Sequence, residues 1–346
     1  MEGNIMPTIK PEQIAVKKAS GWKPNQYLTN MSMAYFETSS FAARRLFPVC
    51  PVQLSSSFYY TFDKEDLARD NVQRKPAYGK VQPAVMGLSD NTYSCKVDQI
   101  IVGIDEIITL NFQRAGAPGV ADPRRAKVKY AIEQMDLHLE LEFARKYFNE
   151  GTWANEWKGA DNTSIANQEF AKFDNTDSDS VEFFDKRITD IKRLGRRRPN
   201  KLALGMETFT ALKNCPSIVD RIKYTGTSMN PAVVNESVLA QCFGVEEVVV
   251  LDATYNAAPK GQPADMKYIC DSKGALLMYT TDSPVIDEPS AGYIFCWDFL
   301  GNGNHVAFDQ WKSNDGTHTE FLEGLIATDI KKCADDLAIY FSNCVS

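Results

Sequence analysis

The chain has 346 residues, a formal net charge of -7 at neutral pH and an isoelectric point of 5.2. Its length supports one large or two ordinary domains, and its acidic balance argues against a nucleic-acid-binding domain with a basic face. No apolar run approaches the roughly 20 residues that span a bilayer, and the start of the chain has no apolar signal core, so we expect a protein made and kept in a cytoplasm.

The first section, residues 1–51, begins with a polar, proline-containing stretch that we expect to form an extended arm. A helix is predicted within residues 28–48, and Pro48 and Pro51 predict extended backbone around Cys50. Because the arm has too few apolar residues to fold alone, it should lie on another surface, its own or a neighbour's.

Residues 52–104 have the pattern of a long hairpin. Residues 54–62 are rich in Phe, Tyr, Ser and Thr and predict a strand, and residues 91–102 predict the return strand, in which Tyr93, Cys95 and Val97 alternate with polar residues. The polar connection between them contains Lys64, Arg69, Arg74, Lys75 and Lys80. A connection of this length is usually functional or disordered, and it suits a protein that reaches over a neighbour.

Residues 122–148 predict the longest helix, with Asp122 as N-cap and Pro123 as first helical residue. One apolar stripe recurs at helical spacing: Val128, Ile132, Met135, Leu139, Phe143 and Tyr147. We expect Ile132, Met135, Leu139 and Phe143 to form the core contact of this helix, and Glu140 to face solvent or an interface. Residues 137–143 also alternate with period two, so a strand is the alternative there, but length and capping favour the helix.

Residues 152–179 are polar and predict a loop-dominated segment, followed by a helix over residues 180–194. Acidic residues begin this helix and basic residues end it, in the order that the helix dipole favours. The arginine run 196–198 could contact nucleic acid, but termination of the helix on a solvated face is the favoured interpretation.

Residues 198–255 predict a small α/β unit. A strand (201–205) leads into a helix (206–214), a second helix opens at Pro216, and a third begins at Asn235 and ends at Gly244, before a buried strand over 245–251. Further strands are predicted at 267–270, 275–280, 293–297, 305–311, 319–332 and 337–344. Residues 326–332 and 337–345 could pair with each other through a turn at 333–336.

The sequence shows no motif for a cofactor, a metal or catalysis. It has no phosphate-binding loop and no nucleophile elbow, and His138, His305 and His318 form no helical zinc pair. Adjacent carboxylates such as Glu246 and Glu247 point to opposite faces of a strand. The eight scattered cysteines are expected to be mostly buried free thiols. We therefore predict no catalytic, cofactor-binding or metal-binding residues.

Three segments carry a resemblance to a known family. Residues 28–62 combine an arm, a Phe-Pro step and a rising strand (LTNMSMAYFETSSFAARRLFPVCPVQLSSSFYYTF), and residues 121–148 form a long helix opened by Asp-Pro-Arg-Arg (ADPRRAKVKYAIEQMDLHLELEFARKYF). The third segment is residues 198–255 together with 275–297. In this order the segments resemble the major capsid proteins of tailed bacteriophages, of the lambda-like, Hong Kong 97 type.

The resemblance implies an L-shaped α+β subunit. Its parts would be an N-terminal arm (1–51), an extended loop hairpin (52–104), a peripheral domain (105–197) with a spine helix (122–148), an axial domain (198–290) and a return to the peripheral domain (291–346).

By the same resemblance, such subunits form pentamers and hexamers that close an icosahedral shell around double-stranded DNA. The shell would be assembled in the host cytoplasm and kept in the virion, with weak, sequence-independent DNA contact, no membrane and no cofactor. Scaffolding, portal and decoration proteins are further partners that it allows. The residues expected at subunit interfaces are Tyr27, Phe36, Phe58, Tyr59, Tyr60, Lys64, Arg69, Lys75 and Lys80.

Three alternatives stay open at this point. An encapsulin-type nanocompartment shell would share the fold but load protein cargo. A soluble carboxylate-dependent hydrolase would elute as a small oligomer, and a tail protein would form tubes or rings.

Overall fold

The computed structural model describes residues 41–62, 68–75, 77–81, 83–84, 88–107, 123–161, 167–175, 178–222, 234–284, 288–298, 306–313 and 318–346. The chain divides into two compact units. Unit 1 comprises Met1–Ser39, Lys96–Asp136 and Trp297–Ala327, and unit 2 comprises Ser40–Cys95, Leu137–Cys296 and Thr328–Ser346.

The described strands, in chain order, are β1 (Val49–Val52), β2 (Ser56–Phe62), β3 (Leu88–Ser94), β4 (Lys96–Asp105), β5 (Glu156–Ala160), β6 (Glu169–Ala171), β7 (Lys201–Gly205), β8 (Glu247–Leu251), β9 (Thr254–Asn256), β10 (Met266–Tyr268), β11 (Ala275–Met278), β12 (Gly292–Trp297), β13 (Val306–Lys312), β14 (Thr319–Lys332) and β15 (Ala338–Ser342). The helices are α1 (Ala43–Leu46), α2 (Pro123–Tyr147), α3 (Ser180–Gly195), α4 (Met206–Asn214), α5 (Pro216–Ile222) and α6 (Glu236–Phe243), with a 3-10 turn at Asp335–Leu337.

Unit 2 is built on a six-stranded mixed sheet in the order β6-β5-β15-β11-β7-β8. Strand β11 is antiparallel to both of its neighbours, and the remaining pairs are parallel. Strands β7, β11 and β15 are buried along their whole length, because apolar side chains leave them on both faces.

Alternate residues of these strands enter two different cores. Leu202, Leu204 and Phe341 pack with α3, α4, α5 and α6 on one face. Ala203 and Tyr340 lie on the other face, with α1 and the second half of α2. The period-two geometry of a strand therefore makes this sheet the partition between the two cores.

Side-chain caps begin both α3 and α6. The Asp179 carboxylate accepts from the amides of Val181 and Glu182 at 3.1 Å each, and the Asn235 side chain accepts from the Val238 amide at 3.0 Å. Helix α6 ends on Gly244 at φ 66°, a left-handed conformation that favours glycine. The predicted α/β unit over 198–255 is confirmed, except that β8 begins at Glu247 rather than 245.

The described part of unit 1 has a small core of its own. Strand β13 pairs with residues 320–326 of β14, and β4 also pairs with β14. Val128 and Ile132 of α2 pack with Phe308 and Leu322 in this core.

Helix α2 confirms the predicted long helix and excludes the alternative strand over residues 137–143. All six residues of the apolar stripe are buried. The expectation for Glu140 is wrong, because its side chain is only 1% exposed and accepts from two backbone amides. Asp122, the predicted cap, lies outside the described residues.

Three further expectations need correction. The return strand of the hairpin breaks at Cys95, because β3 pairs with β2 whereas β4 pairs with β14, and Val97 beyond the break is 51% exposed. The segment 152–179 contains β5 and β6 despite weak local strand signals, because β5 pairs in parallel with the distant strand β15 and β6 pairs in parallel with β5.

The predicted pairing of the two tail strands is also wrong. Residues 292–296 of β12 pair with residues 328–332 of β14, whereas β15 lies between β5 and β11 in the other sheet. The 3-10 turn between them redirects the chain from one sheet to the other. The boundaries of arm, hairpin, peripheral and axial domains stay predictions.

Candidate assembly surfaces

The base of the β2–β3 hairpin packs on the rest of unit 2 through Phe295 of β12. The rings of Tyr59 and Tyr93 lie 5.2 and 4.7 Å from the Phe295 ring, the second in a stacked arrangement. The Cys95 thiol donates to the Phe295 carbonyl oxygen at 3.6 Å, and the Ser94 amide donates to Asp329 Oδ2 at 2.8 Å. One face of the hairpin base therefore belongs to the fold of its own subunit.

The opposite face of the hairpin is exposed. Phe58, paired across the ladder with Thr92, points away from Tyr59 by strand alternation and is 64% exposed. In the connection beyond the ladder, every described side chain between residues 68 and 84 is exposed, among them Val72 and Tyr78. Exposed apolar side chains on a segment without a core are typical of a surface that another chain covers.

The structure places the predicted interface residues in three groups. Phe58, Arg69, Lys75 and Lys80 are exposed. Tyr59 is half-buried against its own subunit, and burial raises its pKa well above the ordinary tyrosine value. Tyr27, Phe36 and Lys64 lie outside the described residues, and for Tyr60 only the strand position, opposite Asp90, is described. An interface role stays a prediction for all of them.

A second feature, which the sequence-based predictions do not include, surrounds the one-turn helix α1. Glu140 Oε2 accepts from the backbone amides of Ala42 and Ala43 at 3.1 and 2.8 Å. At the other end of the helix, Lys201 Nζ donates to the Arg45 carbonyl oxygen at 2.6 Å. We call Glu140 and Lys201 the charge clamp of α1.

Helical spacing offered one signal for this clamp. Glu140 is followed four residues later by Ala144, which is also buried, so the buried arc of α2 is wider than the apolar stripe alone.

The described residues show no constellation for metal or redox chemistry. All eight cysteines lie in the described part and are free thiols; Cys50, Cys242 and Cys333 are half-buried and the others buried. Burial raises the pKa of the Cys333 thiol to about 12. Within the described ranges, no group of three His, Cys, Asp or Glu side chains could hold a metal ion, and no helix is long and apolar enough to cross a membrane.

Comparison with known proteins gives one curated relative and several solved structures. No protein-family profile matches the chain. The major capsid protein of Burkholderia phage BcepMu is 24% identical over 230 residues, which cover 66% of this chain and 68% of that protein. A phage-related protein from Bordetella bronchiseptica RB50 superposes with a TM-score of 0.70 at 19% identity, covering 94% of this chain and 98% of its own.

Two more distant structures share the architecture. A virus-like particle from Pyrococcus furiosus gives a TM-score of 0.53 at 10% identity, covering 92% of this chain and 100% of its own. A putative capsid protein of an E. coli CFT073 prophage gives a TM-score of 0.50 at 12% identity, covering 91% of this chain and 98% of its own. At these identities the likeness to solved structures establishes a common fold.

Proposed function

We propose that this chain, which has the Hong Kong 97-type capsid fold of tailed bacteriophages, is a major capsid subunit and that its activity is assembly. Its copies form pentamers and hexamers that close an icosahedral shell around double-stranded DNA. The observation that carries the proposal is the fold likeness over 94% of the chain, joined to a sequence relative that is itself a major capsid protein.

The geometry of the hairpin supports this function. Its base is held by Phe295 and Asp329, while its outer face and its connection offer exposed side chains with no core of their own. Subunits of obligate assemblies commonly bury more than about 2,000 Å² each, and extended segments are an efficient source of such area. A hairpin that is anchored at one end and exposed at the other suits contact with a neighbouring subunit.

The charge balance supports weak contact with packaged DNA. The net charge of -7 leaves no excess of cations to bind phosphates, and a strongly basic lining would hold DNA through counterion release. The protein would reside in the virion after assembly in the host cytoplasm, where scaffolding, portal and decoration proteins are its expected partners.

Expression of the whole chain, alone and with the neighbouring genes of its phage, tests the proposal. Mass photometry and negative-stain electron microscopy should show pentamers, hexamers or closed particles whose yield rises with concentration. Subunits that stay monomeric at high concentration in both settings would contradict it, and tubes or rings would favour a tail protein.

The contents of the particles separate the two shell functions. Nuclease-protected DNA in particles from a phage lysate supports the capsid, whereas particles filled with one co-purifying enzyme would support an encapsulin-type compartment. Turnover of a small substrate by a monomer or small oligomer would point to the hydrolase.

A further inference from the structure

Helix α1 is held at both ends by oppositely charged, buried side chains. Glu140 is 1% exposed and Lys201 8% exposed. The carboxylate meets the amides at the start of α1, and the ammonium group meets a carbonyl at its end. This is the order that the helix dipole favours.

The helix needs such support because it cannot form by itself. It has only four residues, far fewer than an isolated helix requires in water. Its N-cap residue is Ala42, which has no side chain that could cap the free amides. The carboxylate that satisfies them comes instead from Glu140, 97 and 98 positions away in sequence.

The residue that follows α1 is fixed as firmly. The Phe47 ring lies 5.2 Å from the Phe143 ring and 5.5 Å from the Tyr147 ring, both on α2. On the outer side, Arg45 forms an ion pair with Glu247 at 2.7 Å. Residues 42–47 are therefore fixed by polar contacts in two directions and by apolar packing.

This fixed segment lies within residues 1–51, the predicted arm. Apolar packing alone could hold α1 against unit 2, and burying charges is costly unless each finds a partner. Hydrogen bonds to the Ala42 and Ala43 amides add a constraint that packing lacks, because they define the orientation of the backbone in this part of the arm.

We propose that Glu140 and Lys201 are positioning residues: they fix the backbone of residues 42–47, which belong to the predicted arm (1–51), in the orientation that contact of the arm with a neighbouring subunit requires. Contact of the arm with a neighbouring subunit rests on the proposed function, whereas the effect of the clamp on residues 42–47 does not. The clamp acts through the backbone of residues 42–45.

The local effect is tested on unassembled full-length subunits. Glu140→Gln keeps the shape of the side chain and removes the charge, and Glu142→Gln on the same helix, at an exposed ion pair with Lys146, is the matched control. Hydrogen–deuterium exchange should be at least about tenfold faster at residues 42–47 in Glu140→Gln and unchanged in Glu142→Gln. Unchanged exchange in both would overturn the proposal, whether or not shells form.

The effect on assembly is tested by particle size, measured by electron microscopy at a temperature where each variant is fully folded. Glu140→Gln should give aberrant or heterogeneous particles. Leu212→Ala, which removes buried contacts on the other face of the sheet, should give particles of normal size in lower yield. Uniform normal particles from Glu140→Gln would show that the clamp is merely structural and would overturn the positioning role.

A second variant covers the case in which Glu140→Gln does not fold. Lys201→Met opens the clamp from its other end, and Lys213→Met, at an exposed position of α4, is its control. The same faster exchange and aberrant particles are expected of Lys201→Met alone. Failure of the wild-type chain to assemble would contradict the proposed function but leave the exchange result as the test of the clamp.

Discussion

Phe47 fills the space that a side chain at residue 292 would need. A Cβ atom built on Gly292 would lie 2.5 Å from Cε2 of Phe47 and 2.9 Å from the carbonyl oxygen of Lys331 on the paired strand β14. The first contact could be relieved only by moving a buried ring, and the second only by moving backbone. Phe47 and Pro48 can therefore pack against the sheet in this position only because residue 292 is glycine.

Gly292→Ala should therefore destabilise unit 2 by about 1–3 kcal/mol, the usual cost of overpacking. Gly103→Ala is the matched control, because a Cβ there would be 3.5 Å from the nearest atom, an ordinary contact. Urea unfolding followed by circular dichroism measures both. Equal stability of the two variants would mean that Phe47 moves aside without cost.

Truncation within the apolar stripe of α2 should destabilise the subunit strongly. Leu139→Ala removes a buried side chain and should cost about 2–5 kcal/mol. Glu133→Ala, on the exposed face of the same helix, loses only a 3.6 Å surface ion pair with Lys129 and should cost less than about 0.5 kcal/mol. Thermal unfolding compares them, and similar losses from both would contradict the assigned face of the helix.

The hairpin connection should be dispensable for folding and necessary for assembly. Phe62 and Leu88 face each other at the end of the β2–β3 ladder, so a two-residue Asn-Gly turn can replace residues 63–87. The variant should keep the wild-type circular dichroism and thermal transition, because Tyr93 and Ser94 still fix the base, but it should not close shells. A loss of the thermal transition would assign the connection to the core, and normal shells would remove its role at the interface.

The stability of the protein should fall above about pH 9, where thiols ordinarily ionise. Burial raises the pKa of Cys333 to about 12 and raises that of Cys344 in the same direction. At a pH between the ordinary thiol pKa and the raised pKa of the folded state, the folded chain keeps thiol protons that the unfolded chain releases. The contribution of these thiols to the free energy of unfolding is therefore complete below the ordinary thiol pKa and is lost as the pH rises.

Urea midpoints measured from pH 8 to pH 10.5 check this sign. The urea midpoint should fall less with pH in Cys333→Ala, because this variant lacks the Cys333 thiol that the folded state keeps protonated. Cys242→Ala is the comparison, since Cys242 shows a raised pKa without the large shift of Cys333. A midpoint that stays constant, or that rises with pH, would contradict the burial of these thiols.

Local signals were sufficient for much of the fold. Asp179, Asn235 and Gly244 mark helix ends by chemistry that acts within a few residues, and the stripe from Val128 to Tyr147 defines the buried face of α2. The hairpin was likewise visible, because its strands have aromatic and β-branched residues and pair in chain order.

The sequence did not indicate features that depend on distant partners. Glu140 has the composition of a solvated helix face, and only the amides of residues 42 and 43 make its burial favourable. Strand β5 has the sequence EWKGA, a weak strand former, which pairs in parallel with β15 far along the chain. The tail strands are adjacent in sequence but belong to different sheets, which no local pattern records. For the proposed interface, the sequence predicted exposed residues such as Phe58 but not the residues that they contact.

The position of β15 has a consequence for how the subunit is made. This strand, at residues 338–342, enters the sheet between β5 and β11, so two strands that are synthesised much earlier cannot be bridged until residue 342 is available. Closing the sheet requires contacts of high sequence separation, which form slowly. A chain interrupted before β15 would leave two strand edges open and the Phe341 position in the core empty. Synthesis of residues 338–342 is therefore required before the sheet can close, and we expect chains interrupted before these residues to aggregate or to be degraded rather than to enter a particle.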